Sequence, residues 1–125
     1  MYRDEARIEH MSRAIKKIRQ NLEKVSERTF VDGNDNAELI LYYLMLLGEA
    51  ANNVTVEYCK KHPFVDFKDM AGLRHKLIHD YANIDFGRVW VILQTDFPAW
   101  EESVAKLAST INPVKTLPPN VSNFD

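Results

Sequence analysis

Residues 74 to 81 read Arg-His-Lys-Leu-Ile-His-Asp-Tyr, an octapeptide that gathers an arginine, two histidines and a tyrosine beside a short apolar turn. An arginine is a permanent cation able to grip a phosphate through two parallel hydrogen bonds, and a histidine can accept or donate a proton near neutral pH. Arg74 and His79, with His75 beside them, therefore suit phosphodiester chemistry. The plainer reading is a solvated helix face, which short Arg/His motifs often are. For Tyr81 the plainer reading is an amphipathic residue plugging one end of a helical bundle.

Spacing constrains these residues further. Arg74 and His79 are separated by about 140° on an unbroken helix, too wide an angle to address one phosphate comfortably. Either the helix ends at His79, or a second subunit related by a two-fold axis completes the site. His75 and His79 share a helical face at the spacing of zinc sites, but neither a third ligand nor the intervening glutamate of the hydrolase motif accompanies them. A symmetric dimer uniting two such pairs keeps a metal reading open; as it stands, the set assigns neither metal nor cofactor.

The elements that must position these residues are helical throughout. Ile8, Met11, Ile15, Ile18, Leu22 and Val25 recur at spacings of three and four, predicting a first helix over roughly residues 3 to 28. Turn chemistry around Gly33, and caps from Asn34 to Asn36, then open a second helix over about 36 to 61. Its first half, Leu39 to Leu47, is apolar nearly all round, so it is buried on more than one side, as the centre of a bundle or as a subunit interface. Gly48 within it implies close helix packing, and Glu49, beside an apolar stretch and the small pair Ala50-Ala51, is either a solvated carboxylate, as a lone helical glutamate usually is, or one that orients an arginine or histidine. His62-Pro63 ends this helix. Asp66 or Asp69 caps a third carrying Met70, Leu73, Leu77 and Ile78, which exits at Asp80 and Asn83. Asp85 caps a fourth, and Asp96-Phe97-Pro98 breaks or restarts it ahead of Trp100, Val104, Leu107 and Ile111. The architecture expected is an all-α up-down bundle of four to five helices over residues 1–111, followed by a Pro-containing C-terminal tail at 112–125.

Composition bounds the rest. A chain of 125 residues with 46% hydrophobic and 27% charged residues is that of one globular domain, and its net charge of −2 offers no global attraction to nucleic acid. Any RNA contact must be local, and Arg13, Lys16, Lys17 and Arg19, then Lys60, Lys61 and His62, then the motif itself, are the basic clusters available. Cys59 is the sole cysteine, which excludes an intrachain disulfide and a single-chain thiolate cluster. No signal core or membrane-spanning run is read, so a cytoplasmic location is expected.

Three segments taken together resemble a known family. Leu44-Met45-Leu46-Leu47-Gly48-Glu49-Ala50-Ala51-Asn52, then His62-Pro63 with Met70 to Tyr81, then Val89-Trp90 with Asp96-Phe97-Pro98 are similar in order and spacing to the HepT-like branch of the HEPN family, over about residues 5 to 110. The branch motif Arg-x4-His-x-Tyr is matched by Arg74, His79 and Tyr81; the position after the arginine, often asparagine in the branch, is His75 here. The resemblance implies a dimeric helical bundle that cleaves RNA at the dimer interface without a metal and leaves a 2′,3′-cyclic phosphate. Arg74 and His79 would be catalytic, with His75 and Glu49 auxiliary. It further implies the toxin of a type VII-like toxin-antitoxin pair, silenced when an MNT-type nucleotidyltransferase antitoxin adds AMP to Tyr81, with a higher assembly including that antitoxin also possible. The alternative from another class is a non-catalytic helical subunit that binds nucleotide or docks a nucleotidyltransferase. A third, a purely structural adaptor, predicts that Arg74, His79 and Tyr81 are buried or dispersed.

Overall fold

A computed structural model describes residues 2–111, leaving the Pro-containing tail outside the described residues. Among the described residues six α-helices follow one another: α1 (Tyr2–Leu22), α2 (Asp35–Asn52), α3 (Val56–Lys61), α4 (Phe67–His79), α5 (Phe86–Thr95) and α6 (Phe97–Ala108), with one 3-10 turn, Tyr81–Asn83, after α4. The all-helical expectation holds. α2 lies at the centre, packed by α1 and by α4, while α6 lies against α1 and α5. The core is a continuous apolar cluster that includes Ile8, Met11 and Ile18 of α1, Ile40, Leu44 and Leu47 of α2, Met70 of α4 and Phe97 of α6.

Local chemistry explains the boundaries. α1 stops at Leu22 instead of continuing to 28, because Ser26 and Thr29 offer the backbone a competing turn: the Ser26 N–H donates to Thr29 Oγ1 at 2.7 Å. Gly33 takes a positive φ of 89° that suits glycine, and its N–H donates to Glu38 Oε2 at 2.9 Å. Asn34 then caps α2 by accepting the Ala37 N–H.

The helix expected over 36 to 61 is two helices. α2 ends at Asn52, and Thr55 starts α3 by accepting the Tyr58 N–H with its hydroxyl oxygen. That break is held from a distance. The carboxylate of Asp4, only 4% exposed, accepts both the Thr55 N–H at 2.9 Å and the Thr55 hydroxyl at 2.8 Å. Asp66 sits at the N-cap of α4 without making a side-chain capping bond. Asp85 caps α5 through the Arg88 N–H, and Pro98 falls in the first turn of α6, where its missing N–H is no loss, so the split at Asp96 is real.

Candidate active site

α2 and α4 approach most closely at Gly48. A Cβ there would overlap Arg74 Cβ and stand 2.7 Å from the Met70 carbonyl oxygen. The glycine therefore brings the two backbones together and sets Arg74 beside the next residue of α2. Arg74 Nη2 pairs with Glu49 Oε1 at 2.9 Å, as the orienting role for Glu49 anticipates. The second carboxylate oxygen of Glu49 accepts from Asn53 Nδ2 at 3.0 Å, and the same amide nitrogen also donates to the Glu49 carbonyl at 2.8 Å. Asn53 is the C-cap of α2, so the helix end, the carboxylate and the guanidinium form one chain. Neither partner of the pair is fully buried, and a guanidinium carries five N–H donors, so one face of Arg74 remains able to meet a phosphate.

α4 ends at His79, with the Asp80 N–H donating to the Lys76 carbonyl as its cap. The helix stops where the spacing asks for a stop, but Arg74 and His79 both lie within it, so the angle of about 140° between them is kept. His75 and His79 stand edge to face with ring centroids 4.2 Å apart, both on the exposed side of the helix. Tyr81 follows in the 3-10 turn and is 73% exposed, so it plugs no bundle end. The structure thus pairs Arg74 with Glu49 and His75 with His79, leaving Arg74 half-buried and the histidines and Tyr81 open to solvent. None of Arg74, His79 and Tyr81 is buried, which counts against the burial that the adaptor reading predicts. Among the described residues no group of three His, Cys, Asp or Glu side chains is arranged to hold a metal ion.

The other basic clusters contribute less. Arg19 is engaged by Glu101 through two hydrogen bonds, at 2.8 and 3.0 Å, and its guanidinium lies over the Phe97 ring. His62 places Nδ1 2.9 Å from the Tyr58 carbonyl oxygen. Cys59 is half-buried, and burial followed by the charge of Asp4 pushes its thiol up, away from the reactive thiolate. No described helix is long and apolar enough to cross a membrane. Sequence reasoning missed Asn53; its only signal is an amide four residues after Glu49, at a helix end that the sequence pattern does not mark.

The profile described as Ribonuclease HepT-like matches residues 11–107, a span running from the first helix to the end of α6 and containing every site residue above. The chain belongs to the HepT-like ribonuclease family. Among its relatives is a protein of Caldanaerobacter subterraneus subsp. tengcongensis named "Putative RNase", 27% identical over 80% of this chain and 89% of its own. Another, named "Probable ribonuclease HepT", comes from Thermococcus cleftensis and is 26% identical over 80% of this chain and 91% of its own. No solved structure matches the chain significantly.

Proposed function

We propose that this chain is a metal-independent endoribonuclease toxin, with Arg74 and His79 as its catalytic pair. The observation that supports the reading is that Glu49 holds the Arg74 cation on α4, the same helix that ends at the exposed imidazole of His79. In the reaction the ribose 2′-oxygen attacks phosphorus as its proton passes to an imidazole, and the bond from phosphorus to the 5′-oxygen breaks as that oxygen takes a proton. The products are a 2′,3′-cyclic phosphate and a 5′-hydroxyl. Arg74 stabilises the charge that builds on the phosphoryl oxygens. His79 serves as base or acid, with His75, in ring contact with it, as auxiliary.

A second copy of the chain supplies the complementary motif. Supporting this are Leu39 and Leu46 on α2 and Ile78 on α4, each more than 40% exposed and each on the helices that carry the motif. Two-fold pairing through them would bring two Arg74–His79 sets together, one histidine acting as base and the other as acid. Regulation follows from the exposure of Tyr81. An MNT-type nucleotidyltransferase antitoxin would transfer AMP from ATP to the Tyr81 oxygen, releasing pyrophosphate. The added phosphodiester would compete with RNA for Arg74. The test compares RNA cleavage by the wild type with that by Arg74→Ala and His79→Ala. Loss in both variants is expected; equal cleavage in all three, or none in the wild type, moves the assignment to the non-catalytic docking subunit.

A further inference from the structure

A groove of about 600 Å³ opens beside the motif, between the first half of α2 and the segment that follows α4. Asp32, Glu38, Tyr42, Met45, Tyr81 and Phe86 are among its walls. Three of these are aromatic, two are carboxylates, and among the described residues no lysine or arginine lines it. Phe86 stands edge on to Phe30 at 5.5 Å between centroids, and Phe30 in turn meets Trp90 at 5.7 Å. Glu38 uses one acceptor site of Oε2 for the Gly33 N–H, which holds the carboxylate at the groove and leaves Oε1 and the second lone pair of Oε2 for further donors.

From this lining we infer that the groove is a base subsite of the ribonuclease site, seating a guanine of the RNA next to the scissile phosphate. The inference rests on the endoribonuclease reading above. Without a cation, the groove is unsuited to a phosphate, which belongs at Arg74. Aromatic side chains such as Tyr42 and Tyr81 offer the flat apolar faces on which single-stranded bases stack. The carboxylates select among bases. Guanine presents two adjacent donors, N1–H and the 2-amino group, which a carboxylate can accept together. Uracil presents one N–H between two carbonyl oxygens that a carboxylate repels, and adenine and cytosine present one amino group beside a ring acceptor. Tyr81, two residues beyond His79, belongs to the groove and to the motif at once, so a base seated there places its phosphate toward the histidines.

Two measurements test this. The first is cleavage of single-stranded oligonucleotides carrying one ribonucleotide in a deoxy background, with guanine or uracil at and beside that position, by the wild type, Glu38→Gln and Tyr42→Ala. The second is binding of guanosine and uridine 5′-monophosphate, read as NMR shifts of the tyrosine and phenylalanine ring signals. The expected result is a preference for guanine of about tenfold or more in the wild type, reduced several-fold by Glu38→Gln, with guanosine monophosphate alone shifting the rings. Cleavage without base preference, or a preference that both variants retain, overturns the base subsite while the ribonuclease reading stands. Absence of cleavage with guanosine-selective binding that Glu38→Gln weakens overturns the ribonuclease reading while the groove remains a guanine site. Absence of both overturns both.

Discussion

Two glycines on facing helices should respond in opposite ways to the same substitution. Alanine favours a helix over glycine by about 1 kcal/mol. Gly72 on α4 has nothing within 4 Å of an added Cβ, so Gly72→Ala should express most of that gain. Gly48→Ala meets Arg74 Cβ and the Met70 carbonyl oxygen, the latter at 2.7 Å where ordinary contact begins at 3.4 Å. Both obstacles are fixed to the α4 backbone and cannot swing away, so α2 and α4 must separate. Overpacking of this kind costs about 1–3 kcal/mol, and two backbone-fixed obstacles place it near the upper end. After the helix-propensity gain the net loss should be about 1–2 kcal/mol, a fall in Tm of roughly 4–8 °C for a domain of this size. Thermal melts followed by circular dichroism measure both variants. Because Arg74 moves with α4, cleavage by Gly48→Ala should also drop by about tenfold or more. A Tm for Gly48→Ala raised as much as that for Gly72→Ala would refute the close approach on which the position of Arg74 depends.

Asp4→Ala removes a buried acceptor of two hydrogen bonds from Thr55 and should lower stability by about 2 kcal/mol, measured by urea denaturation. Asp66→Asn tests a pH dependence. Partial burial, then the hydrogen bond to Asp69 and its charge, push the Asp66 carboxyl up. The folded protein therefore binds that proton more tightly than the unfolded chain, and the penalty of ionisation is absent below the ordinary carboxylate value and complete above the raised one. The asparagine variant should melt higher than the wild type at neutral pH and lose that advantage as pH falls to about 3.5. Leu46→Glu places a charge on the apolar stripe and should yield a folded monomer in sedimentation velocity, with cleavage at least about tenfold weaker.

Part of the site was legible from residue types and spacing, because the Arg74–His79 interval and the Gly48-Glu49 pair are local patterns, even though the contacts that join them cross from α2 to α4. The helix end at His79 was legible in the spacing, although α4 runs unbroken from Arg74 to His79 and so keeps the angle of about 140° between them. Gly48 followed by Glu49 announced a close helix contact with a carboxylate beside it, and both lie against Arg74. What periodicity could not reveal depends on distant partners or on local competition. The division of α2 from α3 is held by Asp4, 51 residues from Thr55, so the apolar pattern ran across it unbroken. Asn53 has no visible role until that division is known. The end of α1 was overestimated since Val25 kept the helical period while Ser26 and Thr29 closed a turn instead. The groove is assembled from the 31–34 turn, α2 and the segment after α4, and no one stretch of sequence displays it.

The measurement that bears most directly on the central claim is the chemistry of the cut ends. Purified protein with EDTA present would be given single-stranded RNA and the same strand bearing a 2′-deoxy sugar at each preferred cleavage position, and the products analysed by mass spectrometry. The account predicts 2′,3′-cyclic phosphate and 5′-hydroxyl ends from the RNA, none from the deoxy strand, and no products from Arg74→Ala or His79→Ala. Products ending in a 3′-hydroxyl, cleavage of the deoxy strand, or activity that disappears with chelation would contradict it.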